Sequence, residues 1–393
     1  MHIFSFSFSQ EVFSASEVPA KRLQETLPQH ALLSCARRLV LLAPTRVLPV
    51  EMAAEKALRS LVRDYQSLNV STVTELDATP DALEFSHFVA SNRPCVIRGG
   101  AFEQQLPALE RWTDDYLVEK LADQALRISA TPSGNADSIV DGCFVEPAEV
   151  QMTMRELLDR LAAESNASDQ DSTPVLYLQS QNGNMSDEYA ALAGDAGRDG
   201  PAFAREYFGE RPDVANIWVG GSRSRTSLHK DPYENIYTVV RGSKTFTLLP
   251  PSEAYCLHER IYPHGRYTYD STAESFSVER TSPPLTLPWI PLDPLAPDLS
   301  AFPRYRLARP MRVTLHRGDQ LYLPALWYHF VEQEVGWGPE GPGRGVQAAI
   351  AVNHWFDMDM GGNLWSMCAL QRRLLLVIDG REEEDVDSSD EEE

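Results

Sequence analysis

The chain has 393 residues, 43% of them hydrophobic and 23% charged, with a formal net charge of -22. That length and apolar content can fill a sizeable core, in two average domains or in one large β-rich domain with helical additions. The charge argues against the uniformly basic surface of a nucleic-acid binder, and no apolar run approaches the roughly 18–20 residues of a membrane helix.

Residues 1–51 are rich in Ser, Ala and Arg and poor in acids, which gives them a mild transit-peptide character. The preferred reading is a disordered or non-native extension. From Met52 the spacing of Ala54, Leu58, Leu61, Val62 and Tyr65 predicts an amphipathic helix. Asp81 can cap a helix running through Val89, and Arg93–Gly99 reads as a buried strand opened by a proline. Leu109–Ala125 has a helical pattern, and LRISATP follows as a strand. Thr153 can cap MRELLDRLAAE, Glu164–Thr173 is a polar loop, and Val175–Gln181 is a strand.

From Asn216 to Asp357 β signals dominate: NIWVG, ENIYTVV and KTFTLLP, the last two joined by a turn at Arg241-Gly242-Ser243. MRVTLHRGDQLYLP, LWYHFVEQE and VQAAIAVNHWFD continue the pattern. The proline-rich stretch Ile261–Pro310 predicts an irregular excursion outside the sheet. GWGPEGPGRG predicts a long flexible hairpin loop. Asn363–Ile378 returns to helix, and the run after Arg381 is too acidic to pack. The fold class is therefore mainly β with helical additions (α+β). Its expected organisation is an extension over 1–51, a catalytic domain over 52–380 and a disordered acidic tail over 381–393.

Five cysteines, Cys35, Cys95, Cys143, Cys256 and Cys368, are widely scattered and form no CxxC pair. They fit a reducing compartment, cytoplasmic or nuclear, better than a disulfide framework or zinc knuckle.

The chemistry is concentrated in TSLHKDPYENIY (Thr226–Tyr237). His229 and Asp231 are two apart, so on a strand their side chains share a face and can chelate one metal. LPALWYHF supplies His329 as a third ligand. Two histidines and a carboxylate leave adjacent positions open, which suits non-haem Fe(II), while zinc with a bound water is the competing occupant. Lys244, on the partner strand of the hairpin, is placed to neutralise the far carboxylate of a dicarboxylate such as 2-oxoglutarate. Thr226 and Asn235 add neutral hydrogen-bonding groups. His258, His264 and His316 lack a chelating neighbour. Trp218, Trp327 and Trp355 read as packing residues, Lys230 as facing away from the metal, and Asp293 and Asp298 as turn caps.

TSLHKDPYENIYTVVRGSKTF, RGDQLYLPALWYHFV and AVNHWFD together resemble the jumonji-C (cupin-like) 2-oxoglutarate oxygenases, over roughly Met52 to Ile378. The resemblance implies a double-stranded β-helix, a jelly-roll variant flanked by helices. It implies iron on His229, Asp231 and His329, and 2-oxoglutarate held by Lys244, Thr226 and Tyr177, with Asn235 and Asn353 lining the same pocket. O2 would be the third reactant. The implied activity is hydroxylation of a lysine side-chain carbon in a protein substrate, a translation-associated GTP-binding protein, by an enzyme that can form a homodimer. Demethylation of methyl-lysine or methyl-arginine and metal-dependent cleavage of basic protein tails are the alternatives. Pro232 and His354 depart from the family pattern without touching a ligand position.

Overall fold

A computed structural model describes residues 49–165, 174–179 and 183–381. The expectations for the extension up to residue 48, for 166–173 of the polar loop, for Ser180–Gln181 and for the acidic tail beyond Arg381 lie outside the described residues.

Eight strands with apolar inward faces build the centre. They are β1 (Val214–Gly220), β2 (Arg225–His229), β3 (Tyr233–Arg241), β4 (Ser243–Leu249), β5 (Met311–His316), β6 (Gln320–Leu323), β7 (Tyr328–Glu334) and β8 (Ala349–Asp357). One sheet has the order β6-β3-β8-β1 and the other β5-β4-β7-β2. Consecutive strands thus alternate between facing sheets except where β4 leads into β5, which is a jelly roll, as the resemblance implies. Tyr237, Val239, Phe246, Leu248, Leu315, Leu321 and Val331 meet between the sheets.

Short strands extend both sheets. Thr74–Leu76 and Cys95–Ile97 add to the β6 edge, while Val175–Leu178, Leu126–Thr131 and Ala148–Met152 add beyond β1. Asn135–Ala136 pairs in parallel with Arg225–Thr226 at the end of β2.

Helix α1 (Val50–Leu68) buries Ala54, Leu58 and Val62. Each larger side chain removed from water in this way contributes about 2 kcal/mol. In α2 (Ala82–Ala90) the Asp81 carboxylate accepts the Glu84 N–H at 2.8 Å, the expected cap. Thr153 and Glu156 close a reciprocal capping box ahead of α3 (Met154–Ser165) at 2.7 and 3.2 Å. Helix α4 (Asn363–Ile378) packs Leu374, Leu375 and Ile378 into one cluster with Leu58 and Val62 of α1.

Two expectations need correction. The single helix over Leu109–Ala125 is two, Ala108–Arg111 and Asp114–Leu121. Thr113 interrupts it because its hydroxyl caps the second helix by accepting the Tyr116 N–H. Ile261–Pro310 is not wholly irregular. Arg260–Asp270 pairs with Ser275–Arg280 and Cys143–Glu146 in a third sheet, and with Thr286–Trp289. Tyr267 and Tyr269, two apart, carried that signal, but the prolines downstream masked it. The GWGPEGPGRG segment does connect two strands, and the chain just past it is anchored: Arg241 donates to the Val346 carbonyl at 3.2 Å and to Asp114 at 2.7 Å, and the Val346 N–H donates to Asp114.

Candidate active site

Two antiparallel strands bring the histidines together, since His229 of β2 stands directly opposite His329 of β7. Their ring centroids are 4.1 Å apart. Asp231 is not on a strand. It lies in the short connection from β2 to β3, whose backbone is fixed by the Leu326 N–H donating to the Asp231 carbonyl at 2.9 Å. Asp231 Oδ2 is 3.6 Å from His229 Nε2 and 3.5 Å from His329 Nε2. One ligand atom from each residue lies within 4.8 Å of the others, close enough to share one metal ion.

The backbone sets the tautomers. His229 Nδ1 sits 2.7 Å from the Ser227 carbonyl and His329 Nδ1 3.0 Å from the Trp327 carbonyl. A carbonyl only accepts, so each Nδ1 carries a hydrogen and each Nε2 is left facing Asp231, as the nitrogen that would bind a metal. Burial, reinforced by His229, holds the His329 imidazole down to about 4 and therefore neutral. Burial alone would raise the Asp231 carboxyl, but the two imidazoles outweigh it and keep the group below its ordinary value. Asp231 in turn raises the His229 imidazole against the effect of burial, and a carboxylate oxygen facing two imidazole nitrogens is a donor set for a divalent cation with open positions.

These three side chains line a cleft, about 400 Å³ including its open mouth, together with Tyr177, Trp218, Thr226, Asn235, Asn353 and Trp355. Trp218 and Trp355 are buried packing residues, as expected, and also line the site. Trp327 packs as well, donating to Asn92 at 2.8 Å. Asn353 joins the polar wall, accepting from Trp218 Nε1 at 2.9 Å and donating to Asn235 at 3.3 Å.

Lys244 lies under this wall with no exposed surface. Its ammonium donates to the Tyr177 hydroxyl at 3.2 Å and to the Gln333 carboxamide. Tyr177 is in turn hydrogen-bonded to Thr226. Among the described residues no carboxylate pairs with Lys244, and burial alone pushes its ammonium down to about 7. A buried cation without a counter-ion asks for an anionic ligand. The residues present thus fit both groups: a divalent metal on the triad, and a dicarboxylate reaching from it toward Tyr177, Thr226 and Lys244.

Sequence reasoning missed Gln333, which orients Lys244 and donates to the Gly221 carbonyl at 2.7 Å. Its position four residues beyond His329 on β7, on the same face, was the available signal. It also missed Trp289, whose ring lies parallel to that of His229 at 6.3 Å. The residues set aside stay aside. Lys230 donates to Tyr328, and Asp293 and Asp298 accept turn N–H groups at 2.8 Å. His258 accepts the Arg304 N–H.

Residues 80–362 match the family described as the cupin-like domain. The chain belongs to the cupin-like JmjC family. Oxygenases of this family in general use Fe(II), 2-oxoglutarate and O2. This JmjC chain is 38% identical over 314 residues to the human protein named bifunctional peptidase and (3S)-lysyl hydroxylase JMJD7, covering 78% of the chain and 92% of that protein. It is 33% identical to lysine-specific demethylase JMJ32 of Arabidopsis thaliana over 85% of the chain and 98% of that protein. It is equally 33% identical to JmjC domain-containing protein E of Dictyostelium discoideum, over 72% and 84%. Of the departures from the JmjC pattern, His354 is buried, held near 4 by burial, and hydrogen-bonded to the Gly197 carbonyl at 2.9 Å. Its role is packing.

Proposed function

We propose that the chain is an Fe(II)- and 2-oxoglutarate-dependent protein hydroxylase acting on a lysine side-chain carbon. The observation that carries this reading is Lys244, a fully buried ammonium with no carboxylate partner among the described residues, donating to Tyr177, which lines the same cavity as Thr226, His229, Asp231 and His329. His229, Asp231 and His329 would hold the iron, and Lys244, Tyr177 and Thr226 the far carboxylate of 2-oxoglutarate, with Asn235 and Asn353 beside it. When bound, these groups supply O2 activation, in which 2-oxoglutarate is oxidised to succinate and CO2 while a substrate C–H becomes C–OH. The protein's share is positioning. The Ser227 and Trp327 carbonyls orient the imidazoles, and the apolar walls of Phe246, Val331 and Trp218 limit water.

A lysine target agrees with the names of the human and Arabidopsis relatives. A translation-associated GTP-binding protein is the substrate that the family resemblance favours. The exposed apolar side chains Val50, Met52, Met367 and Leu370 on α1 and α4 support pairing of two copies. The described cysteines are unpaired, which supports a cytoplasmic or nuclear site of action.

The test is incubation of iron-loaded protein with lysine and methyl-lysine peptides, with and without O2 and 2-oxoglutarate. A gain of one oxygen mass on lysine, dependent on both, is expected. Loss of a methyl group instead would make the enzyme a demethylase, and cleavage without O2 would make it a peptidase. Among the described residues Asp231 is the one carboxylate lining the cavity, so no separate general base for hydrolysis is in place there.

A further inference from the structure

A second set of side chains is built against His229 from outside the cavity lining. The Trp289 ring stands parallel to the His229 ring at 6.3 Å, and Phe144 lies 4.5 Å from Trp289. His264 stacks on Phe144 at 5.7 Å and places Nε2 3.4 Å from Glu146 Oε1. Asp137 joins this group through the backbone, its carbonyl accepting the hydroxyl of Ser227, the residue whose own carbonyl orients His229.

Of the two carboxylates here, Glu146 holds the guanidinium. Arg266 gives both Nε, at 2.9 Å, and Nη2, at 2.5 Å, to Glu146 Oε2. Asp137 is 6% exposed, and its Oδ1 is buried without any hydrogen-bond partner. The charged or titratable groups near enough to act on it are Glu146, His229 and Arg266. Asp137 Oδ1 is therefore a buried acceptor without a donor, on the residue whose carbonyl holds Ser227 two positions before His229. Burial, then Glu146, pushes the Asp137 carboxyl up to about 7, against the opposing pull of His229 and Arg266. An unsatisfied buried carboxylate adjoining a reaction site is explained when a ligand supplies the absent donor.

We propose that Asp137, backed by Glu146, receives the ε-ammonium of the target lysine, with the Trp289 ring flanking the methylene chain next to His229. This rests on the lysyl hydroxylase reading and adds to it how the amine is recognised. The ammonium satisfies Oδ1 and balances the second carboxylate, so a neutral side chain of the same length is disfavoured.

The test compares binding of a Gly/Ser-flanked lysine peptide with its norleucine counterpart, by calorimetry on the full-length chain loaded with iron and 2-oxoglutarate. Norleucine keeps the methylenes and removes the charge. The unaltered protein is expected to prefer lysine by about tenfold or more, and Asp137→Asn to reduce that preference to within about twofold. Asp137 has φ +53°, a conformation that asparagine tolerates as well as aspartate, so this substitution leaves the backbone in place. A folded Asp137→Asn protein that keeps the full preference overturns the proposal, as does an unaltered protein without one. Should the variant fail to fold, Nε-acetyl-lysine peptide decides on the unaltered protein, and acetyl-lysine bound as tightly as lysine overturns it. The mass gain on lysine is scored separately. Charge preference without oxygen transfer would sink the hydroxylase reading and leave the amine receptor, whereas oxygen transfer without charge preference would sink the receptor alone.

Discussion

Lys244 of β4 and Gln333 of β7 face each other in register, and the carboxamide accepts from the ammonium while its NH2 group holds the Gly221 carbonyl. The lysine is thus aimed at Tyr177 by a neighbour that carries no charge and cannot neutralise it. The site keeps its cation for a ligand.

Replacing that cation separates binding from folding. Lys244→Met should raise the 2-oxoglutarate concentration for half-maximal turnover by roughly 100-fold, the scale for losing a desolvated charge pair. The same substitution removes an uncompensated buried charge, so the ligand-free variant should melt no lower than the parent. Turnover titrations and thermal scans read the two effects, and an unchanged 2-oxoglutarate requirement would remove Lys244 from the binding site.

The pH dependence follows from the same group. In the folded, ligand-free protein burial holds Lys244 down to about 7. Below that pH it is charged and can meet a carboxylate, and above it the proton is gone. Affinity for 2-oxoglutarate should fall as pH rises past about 7, by up to about tenfold per unit. Stability moves the other way. The unfolded chain keeps this lysine protonated to about 10.4, so across that window it binds more protons than the folded state and ligand-free stability gains from raising pH. Calorimetric binding at several pH values checks the first statement, and a flat profile from slightly acid to alkaline pH contradicts it.

Much of this was legible beforehand. The pair at His229 and Asp231, the distant His329 and the lysine across the hairpin at Lys244 are all marked by sequence spacing. The β signals around them also locate the strands of the jelly roll. What stayed hidden depends on tertiary contact. Gln333 looks like any polar residue of an exposed strand face until the sheets close over it. Trp289 sits among prolines that read as a loop, and Asp137 has no motif at all. The split at Thr113 was hidden because one hydroxyl outweighed a continuous apolar pattern.

Asp231→Ala should lower iron retention by more than about 100-fold, since it deletes the one anionic donor of the triad. The Leu326 N–H bonds the Asp231 carbonyl, which alanine keeps, so the connection to β3 persists. Metal content after gel filtration, with O2 consumption alongside, measures this. Full iron content and turnover in the variant would mean that the ligands lie elsewhere.

Arg241 is 1% exposed and holds Asp114, the Trp112 carbonyl at 2.6 Å and the Val346 carbonyl. Arg241→Met should cost about 3–5 kcal/mol, the range for breaking a buried pair from one side. It should also speed proteolytic nicking after Arg344, because the loop between β7 and β8 loses its tether. Denaturant melts and limited trypsin digestion report both, and an equally stable, equally resistant variant would refute the assignment.

The rung that joins His229 to His329 has a consequence for how the chain matures. Side chains alternate across a strand, so pairing β2 and β7 one residue out would turn one imidazole away from its partner. Such a chain could be compact and still be unable to chelate. Metal uptake would then work as an inspection step, separating correctly zipped molecules from slipped ones, and iron occupancy in a preparation would count the molecules that zipped correctly.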